Sequence, residues 1–310
     1  MRTRALARTL MTLASLMSML AASQASAGIF RGYLSVSGND ASACTLQTPC
    51  RLLPAALAAI NDGGEIWMLD SANFNTGTVN ITKSVTILAV PGALGSVVGN
   101  GFDAISINAA GAKVTLRNLV ILNLSGTLNN GIAFLQGSAL TVEGCELYGL
   151  NNGVSLSAAG SMVTIKDTTI RDNSANGVVM TGPAKAQLRN VSVLNNAVGV
   201  AASNGAALAI TGSAVAGSTT GVQASSSGST TTQVIVSGGT IAGNSTGLQV
   251  AAATGSDTTQ VVLNGVTLTQ NGTGVNLSGA TASVFTRTNN TFKFNTFDLG
   301  SGTLTPLAAQ

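Results

Sequence analysis

Along most of the chain, apolar and polar residues alternate with a period of two in short runs, the pattern of strands with one face buried and one exposed. The runs recur. A Gly-apolar-x-apolar step stands at Gly131-Ile132-Ala133-Phe134, Gly153-Val154-Ser155-Leu156, Gly177-Val178-Val179-Met180, Gly199-Val200-Ala201-Ala202, Gly221-Val222-Gln223-Ala224, Gly247-Leu248-Gln249-Val250 and Gly274-Val275-Asn276-Leu277, with spacings of 22, 24, 22, 22, 26 and 27 residues. About ten residues after each comes a second alternating strand, as at Leu140-Thr141-Val142, Val163-Thr164-Ile165 and Ala186-Gln187-Leu188, and Val114-Thr115-Leu116 is the same kind of strand ahead of the first step. A third follows at once, as at Leu119-Val120-Ile121, Cys145-Glu146-Leu147 and Thr168-Thr169-Ile170.

Three short strands per repeat cannot bury their apolar side alone, but repeats stacked about 4.8 Å apart share one continuous interior. The fold class expected is therefore all-β, a single-stranded right-handed parallel β-helix of coils over residues 76–282. Asn118, Asp167, Asn190 and Asn264, with Asn123, Asp172, Asn195 and Asn271, sit between strands and are expected at left-handed corners. Open ends of such a stack need covers. Residues 28–75 are read as the N-terminal lead-in and cap: Arg51 to Asn61 predicts a short amphipathic helix carrying Leu53, Leu57 and Ile60, stopped by Gly63-Gly64. Residues 283–310 are read as an aromatic C-terminal plug built on Phe285, Phe292, Phe294 and Phe297.

The first 27 residues lie outside the repeat. Arg2, Arg4 and Arg8 precede an apolar stretch ending near Ala22, and Ala25-Ser26-Ala27 fits a small-x-small cleavage site, so residues 1–27 are expected to be a signal peptide and Gly28 the first residue after cleavage. As a membrane anchor the stretch is too short and too broken by Ser and Thr, and no later segment is long and apolar enough to span a bilayer. The location expected is periplasmic, cell-surface or secreted. Three of the 14 Lys and Arg leave with the signal, and the remaining 11 face 11 Asp and Glu. With no net charge and no basic run, nucleic acid is excluded as a partner. Charged residues make up 8% of the chain and aromatics 4%, unlike an ordinary helical or α/β enzyme.

Cys44 and Cys50, six residues apart in a Gly/Asn/Pro-rich segment, are expected to form a local disulfide in an oxidising compartment. Cys145 is left over in an apolar pattern and reads as a small buried hydrophobe. The chain has no His to activate it as a nucleophile.

The run Tyr33-Leu34-Ser35-Val36-Ser37-Gly38-Asn39-Asp40, the Pro49-Cys50-Arg51 step, the capping helix, Gly64-Glu65-Ile66-Trp67-Met68-Leu69-Asp70 and Ile81-Thr82-Lys83-Ser84-Val85-Thr86-Ile87 together resemble the N-terminal part of bacterial pectate-lyase-like proteins of the pectin lyase fold. The resemblance covers essentially the whole chain after residue 27. It implies a right-handed parallel β-helix, but that superfamily holds lyases, hydrolases, tailspikes and adhesins, so it does not select an activity. The Asn-Thr-Asp, Asp-Asp, Gly-His-Gly and Arg-Ile-Lys steps of polygalacturonase-like members are absent, as are the Trp-Ile-Asp-His and Arg-x-Pro-x-x-Arg signatures of pectate lyases.

Among the aligned coils, outward charge concentrates from about Lys113 to Arg189, and between Arg189 and Arg287 only Asp257 is charged. Aligned coils place Arg117, Glu143, Lys166 and Arg189 in one outward column and Glu146, Tyr148, Arg171 and Asp172 in a neighbouring strip. Under a lyase reading, Lys166, Arg171 and Arg189 are the catalytic candidates for proton abstraction and enolate stabilisation. Arg117, Glu143, Glu146 and Tyr148 are then substrate-binding candidates. Asp172, with Glu143 and Glu146, offers hard oxygen ligands for Ca²⁺, a cofactor expected only in that case. The competing reading is a solvated face on which opposite charges relieve one another. Asp40 and Asp70 read as turn residues, and Trp67 as core. The Ser/Thr-rich stretches Ala224 to Gln233 and Ala252 to Gln260 are expected to stack as a ridge of solvated loops.

Two functions stay open: an exported, non-catalytic surface or carbohydrate-contacting element whose partner is an extracellular or envelope polysaccharide, and a divergent polysaccharide lyase or, behind it, a glycoside hydrolase. The absent motifs, absent His and short coils favour the first. The sequence does not specify an oligomeric state.

Overall fold

The computed structural model describes residues 28–307, so the expected signal peptide and the last three residues of the C-terminal plug lie outside the described residues. Within them the chain winds into about ten coils, and strands of successive coils pair in parallel to form three sheets of twelve, ten and ten strands. The first sheet begins with Ile29–Leu34 and Ile60–Met68, continues through Ala139–Glu143, Met162–Lys166 and Lys185–Arg189, and ends at Leu304–Pro306. The second runs from Ala72–Asn73 through Glu146–Tyr148 and Thr169–Arg171 to Thr291–Lys293, and the third from Val79–Ile81 through Asn176–Thr181 to Phe297–Leu299.

Register follows the alternation. Val142 lies between Leu116 and Ile165, and Leu140 between Val114 and Val163, all six buried. A one-residue slip would turn every one of them to solvent, so the buried interior locks each coil to the next. The glycine of the recurring step has a steric cause: a Cβ on Gly177 would lie 2.6 Å from the Gly199 carbonyl oxygen and 2.6 Å from Val193. Stacked backbones leave no room for a side chain there.

Corners between the first and second sheets place Asn118, Gly144, Asp167, Asn190 and Gly265 at positive φ, and those between the second and third place Gly149, Asp172, Asn195 and Gln270 there. Five of the eight expected corner residues hold these left-handed positions. Asn123, Asn264 and Asn271 do not. Asn271 is buried instead, accepting from the Asn244 backbone N–H at 3.0 Å and donating to the Ile241 carbonyl at 3.0 Å. It belongs to an internal amide ladder in which Asn173 donates to Asn196 at 2.9 Å and Asn244 to Asn271 at 3.0 Å. The ladder satisfies polar groups at the inner corners of these coils, where an unpaired N–H would be costly.

The ends differ from expectation. Helix α1 spans Leu53–Ala59, shorter than the Arg51 to Asn61 predicted, with Pro54 in its first turn and Leu53, Ala56 and Leu57 buried against the strands it covers. Ile60 is already extended and, with Asn61, Gly63 and Gly64, belongs to the strand Ile60–Met68, so the glycine pair is not the helix stop. Pairing with Ile29–Leu34 and Val85–Ala89 outweighs one more turn of a helix this short. At the other end, Phe292 packs against the core and Phe285 is half-buried on an outer face, but Phe294 is 76% and Phe297 62% exposed. The aromatic plug thus rests on one phenylalanine, because the others fall at outward or corner positions of the last coil.

Cys44 and Cys50 form the disulfide, and both are buried beside the helix. Cys145 is buried at the corner after Glu143, and burial pushes its thiol up to about 11. The two Ser/Thr-rich stretches do stack, with Thr231, Thr232 and Gln233 opposite Thr258, Thr259 and Gln260. They are not simply solvated loops: Ser226, Thr232, Thr259 and Asp257 are buried inside them. The Asp257 carboxylate accepts from the backbone N–H of Ser229 at 2.7 Å and of Thr254 at 2.9 Å, and from the Thr254 hydroxyl at 2.7 Å.

Candidate functional site

The charged residues singled out from the sequence occupy two sheets. Arg117, Glu143, Lys166 and Arg189 are successive partners on the outer face of the first sheet. Glu146, Tyr148 and Arg171 stand on the outer face of the second, with Asp172 at the corner beyond. Gly144 and Cys145 separate Glu143 from Glu146. On a closed coil, outer faces turn away from one another around such a corner. The candidates line two walls rather than one groove.

Each wall is internally paired. Glu143 takes Arg117 at 3.0 Å and Lys166 at 2.9 Å. Arg171 reaches Glu146 Oε1 through Nε at 2.9 Å and Nη2 at 2.8 Å, and Asp172 through Nη1 at 2.6 Å, while its guanidinium carbon lies 4.3 Å over the Tyr148 ring. Arg189 donates to Gln187 at 2.7 Å. The hydrogen bond from Lys166 holds the Glu143 carboxyl below the usual carboxylate range, and Arg171 does the same to Asp172. Asp172 and Glu146 in turn push Arg171 up. In these three groups the environment favours the charged form, whereas a general base works best with a pKa near the operating pH.

Asp172 also accepts from Asn195 at 3.2 Å, and among the described residues no group of three or more His, Cys, Asp or Glu side chains converges as a metal would require. Asp40 and Asp70 act as turn residues: Asp40 accepts from the Arg51 and Leu52 backbone N–H groups, both at 2.8 Å, and Asp70 from the Ser35 hydroxyl at 2.7 Å.

Trp67 is misplaced by the sequence reading. It is half-buried on the outer face of the first sheet, in the same column as the charged ladder through Tyr33, Trp67, Leu88 and Arg117. The Arg31 guanidinium lies 4.1 Å over its ring and pairs with Glu65 at 2.8 Å, and Tyr33 meets it edge-on at 6.3 Å. The signal was present in Glu65-Ile66-Trp67-Met68, where period two puts Trp67 with Glu65 and opposite Ile66 and Met68. Beside this column runs a ladder of threonines, Thr86, Thr115, Thr141 and Thr164. A depression of about 210 Å³ on the same sheet lies next to the charged ladder rather than in it, lined by Met162, Gln187, Ala209, Gln233 and Ile235 among others.

Residues 61–215 match the family described as the right handed beta helix region. The chain belongs to this β-helix family. Among curated proteins, none matches its sequence. Similar solved structures include XylC in complex with xylose, with a TM-score of 0.67 at 9% identity over 83% of this chain and 68% of that one. The pectate lyase Pel9A aligns with a TM-score of 0.54 at 13% identity over 89% of this chain and 80% of its own. The GH136 lacto-N-biosidase from Eubacterium ramulus gives 0.53 at 9% identity over 89% of this chain and 67% of that one. At such identities the β-helix protein shares a fold with carbohydrate-related proteins, and the fold alone carries no reaction across.

Proposed function

We propose that this β-helix protein is exported and serves as a non-catalytic element that contacts an envelope or extracellular polysaccharide along the outer wall of its first sheet. The observation that carries the reading is the pairing on the two walls: Glu143 is bridged by Arg117 and Lys166 on the first sheet, Arg171 by Glu146 and Asp172 on the second, and no ion pair links one set to the other. Such groups present hydrogen-bonding and charge to a long ligand without a base poised for proton transfer. Tyr33 and Trp67, the threonine ladder and the charged ladder form a continuous outward track, suited to an extended chain of sugars. The carbohydrate-related fold neighbours Pel9A and XylC agree with that class of partner. The Cys44–Cys50 disulfide is compatible with an oxidising compartment.

Incubation with a panel of uronate polymers, with and without Ca²⁺, followed by ultraviolet absorbance of unsaturated products, is expected to give a flat trace. A glycan array is expected to show retention that Arg117→Ala and Lys166→Ala reduce together. Accumulating unsaturated product would instead establish the lyase reading, and an empty array would remove the binding role.

A further inference from the structure

The corner between the second and third sheets is tight in most coils but wide near the N-terminal end. Residues 149–151 span it in one coil and 217–219 in another, whereas 100–104 and 124–131 span it earlier. The internal asparagine ladder is interrupted there as well. Asn75 occupies the inner position of the first coil, and the next buried ladder asparagine is Asn173. The widened corner surrounds a hollow of about 290 Å³.

Its floor is saturated: the Asn75 amide donates to the Val98 carbonyl and accepts from the Val98 N–H, both at 2.8 Å. On its rim Asn73, Thr76 and Asn100 are exposed; the Asn73 amide donates to the Asn75 carbonyl at 2.8 Å, and Phe102 and Leu124 complete the lining with apolar surface. Leu124 is 70% exposed. The loop that presents it is held by its own hydrogen bonds: Asn123 donates to the Ser125 carbonyl at 2.8 Å and accepts from the Ser125 N–H at 3.0 Å. An ordered loop thus holds a leucine in water beside an aromatic ring and three polar side chains. No charged side chain lines the hollow.

We propose that this hollow is a second binding site, for one ring of a neutral sugar. A pyranose has an apolar C–H face for Phe102 and Leu124 and hydroxyls that both donate and accept, the pattern offered by two carboxamides and a threonine hydroxyl. The volume lies at the small end of ligand sites, which suits a single ring rather than an oligosaccharide. The lining itself carries no charge, and the neighbouring Arg51 guanidinium is engaged by the Asn73 carbonyl at 2.7 Å, so a desolvated uronate carboxylate is disfavoured there relative to a neutral ring. The site lies at the corner of the second and third sheets, apart from the charged ladder on the first, and is independent of the function proposed for that wall.

Titration of the ¹⁵N-labelled chain with methyl xyloside, methyl glucoside, methyl galactoside and N-acetylglucosamine, with galacturonate as the charged control, tests this. The expected result is saturable shifts of the Asn73 and Asn100 side-chain amides by at least one neutral sugar, with a Kd of about 1 mM. Leu124→Ser, at an exposed position, should weaken the binding by about tenfold without altering the rest of the spectrum. Phe102→Ala should do the same if it folds. Lys166→Ala should leave it unchanged while reducing retention of acidic polymers, so the two sites fail separately. No shift up to about 20 mM sugar, shifts confined to the first-sheet wall, or galacturonate binding the hollow as well as the neutral sugars would each overturn the proposal.

Discussion

Asp257 is the residue whose role in the fold is least expected from its neighbours in sequence, being the lone charge in a long uncharged stretch. It is buried under the Ser/Thr ridge and organises two successive loops through backbone and hydroxyl donors. The Thr254 hydroxyl, with the Thr254, Thr230 and Ser229 N–H groups, holds its carboxyl below the ordinary aspartate range. A carboxylate with a folded pKa below its unfolded value contributes stability that is fully present above the unfolded pKa and lost as pH falls through the folded one. Asp257→Asn is therefore expected to lower the melting temperature near pH 7, with the gap from the parent closing as pH falls below the ordinary aspartate range. An unchanged gap across that range would contradict the assignment. Gly177 acts by what it lacks. Gly177→Ala pushes a methyl onto the Gly199 carbonyl and Val193 and should cost about 1–3 kcal/mol in urea unfolding at unchanged m. A parent-like midpoint would mean that the coils can part more easily than their stacking implies.

Among the elements, the two ends of the stack are unequal. Helix α1 buries Leu53, Ala56 and Leu57 over the first coils, and Leu53→Ala should destabilise by about 2–5 kcal/mol, as large-to-small changes in a filled interior do. At the C-terminal end, Phe292→Ser should be costly, whereas Phe297→Ser should stay within about 0.5 kcal/mol of the parent. Equal effects of the two serines in thermal melts would restore the picture of an aromatic plug. The helix was legible as an amphipathic repeat of Leu53 and Leu57, and its stop was not. Gly63 and Gly64 look like punctuation, yet their neighbours on either side in the sheet lie at residues 29–34 and 85–89, and that long-range pairing is invisible locally. The corner residues show the same limit. Asn and Asp mark where the chain can turn left-handed, but whether a given asparagine takes the corner, as Asn195 does, or turns inward to bridge coils, as Asn271 does, depends on the coil above it.

For the whole molecule, charge is divided between two sheets. Glu143, Lys166 and Arg117 were readable as one column, and the column exists. The strip of Glu146, Tyr148 and Arg171 was readable as outward, but its separation from that column by a corner was not. Because the two cations that flank the half-buried Glu143 are exposed to solvent, Glu143→Gln should change stability by less than about 1 kcal/mol. It should nevertheless alter polysaccharide retention by freeing Arg117 and Lys166. A large loss of stability with unaltered retention would mark the ladder as structural.

The sequence alone determined that this is a stack of three-stranded coils with Val, Leu and Ile inside, because period-two alternation and a recurring spacing carry that information without reference to any distant residue. It also determined the disulfide and the buried state of Cys145. Tertiary structure decided which outward residues become neighbours. Alternation says in or out, whereas the sheet a residue joins, the coil it pairs with and the width of each corner are set by register between strands more than twenty residues apart. Hence Trp67 lies outside with the charged ladder, Glu143 and Glu146 face apart, and a hollow opens where the corner widens around Phe102 and Leu124.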